Sequence, residues 1–107
     1  MSDGTFLIPL KISSGDWLDE CPYCGHNNLH QSDVTVFNRY GDAEKVRVTH
    51  VMDNGTITSA SVPNEQTNNP SSQRDGMQVH FWCEGCDEKP ILAILQHKGT
   101  TFIGWQK

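Results

Sequence analysis

Four cysteines in two identical spacings constrain this chain more than any other feature. Cys21 and Cys24 enclose Pro22-Tyr23, Cys83 and Cys86 enclose Glu84-Gly85, and the 107 residues contain no other cysteine. Two intervening residues let both thiolates of one tight turn face a single ion, and two such turns supply the four sulfurs of a closed tetrahedral site. Cys21, Cys24, Cys83 and Cys86 are therefore expected to hold one structural Zn²⁺. The neighbouring residues suit tight turns. Gly25 and Gly85 reach positive φ without a Cβ penalty, Asp87 tolerates the left-handed region, and Pro22 stiffens the first turn. Iron takes the same four-sulfur set, so the thiols alone do not distinguish the two metals.

Length and composition make a metal useful. At 107 residues the chain is read as a single domain spanning 1–107. A chain of this size buries about two-thirds of its unfolded surface. Here 36% of residues are hydrophobic and mean hydropathy is −0.54, so the core is modest. A structural zinc contributes about 10–16 kcal/mol in small finger peptides, comparable with the about 5–15 kcal/mol net stability of a whole domain. The formal charge is −5, and four thiolates on one Zn²⁺ add about −2. That balance disfavours non-specific binding to nucleic acid or anionic membrane. No apolar run reaches membrane-spanning length. Reduced cysteines without an export signal point to the cytoplasm.

The rest of the chain reads as strands and turns. Residues 6–12 form a first strand that Pro9 confines to an edge or bulge, and Trp17 is expected to pack over the cysteine turns. Residues 33–38 alternate, as do 45–51, where Val46 and Val48 share one face. Asn54-Gly55 between β-branched runs is a strong hairpin signal, with the return strand at 56–60. These strands are an inserted β-meander. The polar stretch 63–76 has no aliphatic residue and is expected to be a mobile loop. Val79-His80-Phe81-Trp82 leads into the second cysteine pair. A closing hairpin turns at Lys98-Gly99, pairing Leu92 with Trp105 and Ile94 with Ile103, with Ala93, Leu95 and Phe102 on the other face. Both faces of this hairpin are apolar. One must be covered by the meander, by a second copy of the chain, or by a partner.

Strand, Cys-x-x-Cys turn, strand is the unit of a zinc ribbon. On the two cysteine turns and the strands after Cys83 the chain resembles zinc-ribbon proteins. Its tail, with Gln96-His97-Lys98-Gly99-Thr100 and Trp105, resembles small ribbon proteins of bacterial and phage genomes without assigned activity. The resemblance implies a mainly β fold, two Cys-x-x-Cys knuckles and a structural zinc. Cys21-Pro22-Tyr23-Cys24 also resembles the active-site string of glutaredoxins, which would imply a thiol-disulfide oxidoreductase. That fold needs a buried strand before the motif and an amphipathic helix after it. Asp16-Trp17-Leu18-Asp19-Glu20 and His26-Asn27-Asn28-Leu29-His30 have neither pattern. A disulfide framework would require an oxidising compartment.

No catalytic constellation accompanies the cysteines. His26 is near enough to Cys24 to replace a thiolate, but four sulfurs fill a tetrahedron. His50 and His80 lie in strands and are read as packing residues. The expectation is a non-enzymatic interaction or adaptor module with a protein partner or self-association. Acidic residues ring both cysteine pairs (Asp16, Asp19, Glu20; Glu84, Asp87, Glu88) and would repel phosphate. Nucleic acid is therefore the alternative partner, through Arg39, Lys45 and Arg47. Tryptophan is enriched among residues that dominate binding, so Lys98, Phe102 and Trp105 are the expected partner-binding residues.

Overall fold

The computed structural model describes residues 7–8, 18, 20–41, 43–71 and 74–106. Expectations resting on Pro9, Asp16, Trp17 and Asp19 lie outside them. The protein is mainly β: β1 Leu7–Ile8, β2 Leu29–Asn38, β3 Lys45–Val51, β4 Ile57–Pro63, β5 Gly76–Cys83, β6 Ile91–His97 and β7 Thr100–Gln106, with one 3-10 turn at Asn64–Gln66. All neighbours are antiparallel, in the order β1-β7-β6-β5-β2-β3-β4. Among the described residues no helix is long and apolar enough to cross a membrane.

Two tight turns set the registers. At the β6–β7 turn Lys98 has φ 51° and Gly99 φ 79°, the paired positive values of a two-residue type I′ loop. The loop fixes Leu92 opposite Trp105 and Ile94 opposite Ile103, as its length dictates. At the β3–β4 turn only Gly55 is left-handed, with φ 91°. Met52 and Thr56 close the turn through Met52 N to Thr56 O at 2.8 Å, and Gly55 N donates to Met52 O at 2.9 Å. This is a three-residue loop ending in a glycine bulge, not the two-residue loop that Asn-Gly usually makes. Asn54 instead uses its Oδ1 to accept from Thr56 N at 3.0 Å.

Strands β2, β3 and β4 form the expected meander, but β5 returns beside β2, which makes a Greek key. The return segment after β4 therefore has to cross one face of the sheet. It is tied down there. Asn68 O accepts from Gln78 Nε2 and from Gln106 Nε2, each at 3.2 Å. Ser71 Oγ donates to Gln96 O at 2.8 Å and accepts from Arg74 N at 2.9 Å. Pro70 and Ser71 are buried. A Cβ on Gly76 would meet Pro70 Cδ at 2.9 Å, so the strand start is glycine where the segment presses on it. The stretch 63–76, expected from composition to be a mobile loop, spends described polar groups of Asn68 and Ser71 on a buried amide and a strand-end carbonyl.

Strand alternation sends side chains to two faces. Phe37, Val46, Ala93 and Leu95 are buried on the face crossed by the return segment, with Thr35 and Gln78 among them. On the opposite face Trp105 is 2% exposed and stands edge-on to Phe81, ring centroids 5.5 Å apart. The hairpin of β6 and β7 is thus apolar on both faces, as expected. The meander, however, continues the same sheet on the far side of β5 and does not cover it. The return segment does so on one side.

Candidate metal centre

The topology brings the two cysteine pairs together. β2 and β5 are antiparallel neighbours, with Leu29 opposite Cys83. The turn that precedes β2 and the turn that follows β5 therefore meet at one end of the sheet. Cys21 N donates to His26 O and Gly25 N to Cys21 O, both at 2.9 Å, which curls the first turn. Gly25, at φ 79°, makes that curl possible. Glu84 N donates to Asn28 O at 3.2 Å and joins the two turns. Each turn also aims a backbone N–H at its own first sulfur: Tyr23 N lies 3.4 Å from Cys21 Sγ, and Gly85 N lies 3.2 Å from Cys83 Sγ.

Gly85 is required for space rather than for φ. It is not among the residues with positive φ. A Cβ there would stand 2.7 Å from both Cβ and Cγ of His26, so the second turn closes against the first only without a side chain.

The four Sγ atoms lie within 4.8 Å of one another. Cys21 Sγ is 3.8 Å from Cys86 Sγ, and Cys24 Sγ is 3.5 Å from Cys83 Sγ. A sulfur tetrahedron about 2.3 Å from a central ion has edges of about 3.8 Å, so the cluster has the size for one metal ion. A disulfide brings its sulfurs to about 2.05 Å, and all four cysteines are free thiols. Their acidities are unequal. Burial opposes ionisation of Cys83, but the Gly85 N–H and the other three thiols outweigh it and hold Cys83 at about 7. The Glu88 N–H favours a Cys86 thiolate, yet burial and the other sulfurs push this thiol up to about 12. Four sulfurs this close cannot all ionise unless a cation offsets their repulsion.

Neighbouring side chains brace the turns without joining the sulfur set. His26 Nε2 is 3.3 Å from Asn28 Nδ2. The His30 ring stacks on Trp82, with centroids 4.2 Å apart and planes at 17°. His30 also bonds the Glu84 carboxylate of the second turn. Tyr23 and Trp82 remain exposed here, at 49% and 45%.

The residues expected to bind a partner do not form one surface. Trp105 is buried beside Phe81 and belongs to the core. Phe102 is half-buried opposite Leu95, on the other face of the sheet. Lys98 is exposed at the hairpin tip. Both strands of the hairpin are apolar, and only the full sheet shows which of their positions are covered. Conversely, Arg39, Lys45 and Arg47 do line one cleft with the exposed Tyr40. Arg74 and Lys98 join Arg39 in an adjoining cleft, a grouping with no sequence signal because it depends on three strand ends meeting.

The chain matches no family model, no curated protein and no solved structure.

Proposed function

We propose that the chain is a zinc-ribbon-type module in which Cys21, Cys24, Cys83 and Cys86 hold one structural Zn²⁺, and that it acts as a non-enzymatic adaptor for a protein partner in a reducing compartment such as the cytoplasm. The single observation that carries the metal reading is the sulfur cluster, whose spacings approach the edge of a zinc–thiolate tetrahedron. With four protein ligands the ion keeps no open position, which suits structure rather than catalysis. A protein partner is favoured at this end because the exposed aromatics Trp82 and Tyr23 stand among Glu84, Asp87 and Glu88, a poor setting for phosphate. An oxidoreductase reading lacks its helix: after Cys24 the chain runs irregularly into β2 at Leu29.

The test begins with metal analysis of purified protein. One zinc per chain is expected, and a strong chelator should unfold the domain because site and fold form together. Cys83→Ser should reproduce chelation. Trp82→Ala should keep zinc and fold while weakening capture of the partner from host lysate. Full folding without metal, together with turnover of a disulfide substrate, would replace this reading with the oxidoreductase one.

A second reading, nucleic-acid binding, is favoured by two adjoining clefts at the opposite end of the sheet, where Arg39, Lys45, Arg47, Arg74 and Lys98 outnumber the one carboxylate, Asp75. It requires oligonucleotide affinity that falls steeply with salt and is lost on Lys45→Glu and Arg47→Glu together.

A further inference from the structure

Beneath the return segment lies a cleft of about 630 Å³, away from the cysteines. His50, His80, Asp33 and Thr35 are among the residues that line it. A β-bulge builds this cluster. Gln31 pairs with Phe81 but Val34 pairs with Val79, so Ser32 and Asp33 together oppose the single residue His80. Such a bulge re-aims side chains, and Ser32 Oγ anchors it by donating to His80 O at 3.2 Å. On the next strand, His50 is the cross-strand partner of Thr35. The His50 and His80 rings have centroids 6.5 Å apart.

We propose that this cleft is a second metal site, in which His50 and His80 bind a late first-row divalent cation that accepts trans imidazoles, such as Ni²⁺ or Co²⁺. Such ions favour imidazole ligands. They lie about 2.0–2.1 Å from the nitrogen, so two rings sharing one ion have centroids roughly 5–6.5 Å apart. The observed separation is at the open end of that range, which places the two nitrogens trans across the ion, as a six-coordinate cation allows and a tetrahedral one does not.

The surrounding groups leave lone pairs for the ion. Asp33 Oδ2 lies 3.0 Å from His50 Nε2, and Asp33 Oδ1 accepts from Asp53 N at 2.9 Å. An ionised carboxylate only accepts, so Nε2 carries the proton and Nδ1 offers its lone pair. A carboxylate on the far nitrogen is the arrangement that orients metal-binding histidines. His80 Nε2 lies 3.4 Å from Thr35 Oγ1. Burial, aided by His50 and only partly opposed by Asp33, keeps the His80 pKa below the usual imidazole value, so the ring is neutral and able to bind a metal at pH 7. Among the described residues no third His, Cys, Asp or Glu ligand atom lies within 4.8 Å of both rings' nitrogens, so water completes the sphere.

The test uses untagged protein carrying its cysteine-bound zinc, titrated with Ni²⁺ by calorimetry while zinc release is followed. One Ni²⁺ per chain should bind without displacing zinc. His50→Ala and His80→Gln should each weaken that binding at least about ten-fold, and Asp33→Asn about 10–100-fold. His30→Ala, at the cysteine end, should leave it unchanged. Paramagnetic broadening by Ni²⁺ should reach the His50 and His80 ring protons of the parent protein first, a readout that needs no variant. Absence of saturable Ni²⁺ binding, broadening centred on other histidines, or loss of binding in His30→Ala alone would overturn the site and leave Asp33–His50 as a structural ion pair. These outcomes are separate from zinc content at the cysteines, which tests the adaptor reading.

Discussion

Replacing Trp105 with alanine separates a core role from a partner-binding role. The side chain is 2% exposed and its ring stands edge-on to Phe81 at 5.5 Å. A tryptophan buries about 150–250 Å², and at about 25 cal/mol per Å² that is roughly 4–6 kcal/mol of transfer free energy. Measured Phe or Trp truncations in cores cost about 3–5 kcal/mol, and the lost edge-to-face pair falls within that figure. Taking about 4 kcal/mol, and about 2.1 cal/mol/K of unfolding entropy per residue, the zinc-bound protein should melt about 15–20 °C lower. The decisive assay is thermal and urea unfolding at fixed, saturating zinc, with metal content checked before each melt. Since Cys83 shares the face of Phe81, zinc affinity should weaken as well. Lys98→Glu, at an exposed turn, should change stability by less than about 0.5 kcal/mol. The reasoning fails if Trp105→Ala loses under about 1 kcal/mol yet abolishes partner capture. That result would return Trp105 to an interaction surface.

Two further substitutions probe contacts that hold the ends of the sheet. Gly85→Ala places a methyl 2.7 Å from His26 Cβ and Cγ, so the two cysteine turns must part. Zinc affinity should drop measurably in competition with a chromophoric chelator, whereas an unchanged affinity would show that the turns have slack. Ser71→Ala removes a side chain that is 0% exposed and joins Gln96 O to Arg74 N. Leaving those groups unpaired should cost about 1–3 kcal/mol and speed tryptic cleavage after Arg74. Rapid cleavage in the parent protein at the same rate would mean that the return segment is not held down.

The sequence by itself determined the local features. Two Cys-x-x-Cys strings named the sulfur set, because the spacing is a property of a single turn. Alternation placed the strand at Lys45–Val51, and Lys98-Gly99 fixed the register of the last hairpin, because a two-residue loop leaves one pairing. What depends on which strand neighbours which was left to the tertiary structure. Only the return of β5 beside β2 puts Cys21 and Cys24 next to Cys83 and Cys86. The same return lays a polar segment over one face, where its hydrogen bonds replace the aliphatic contacts that composition would look for. On the opposite face Trp105 is inside against Phe81, which the sequence does not reveal, since an apolar strand looks the same whether or not its face is covered. The bulge at Ser32–Asp33 is likewise invisible in the sequence: one extra residue in β2 is defined only against the strand it pairs with, and it brings Asp33 beside His50 and His80.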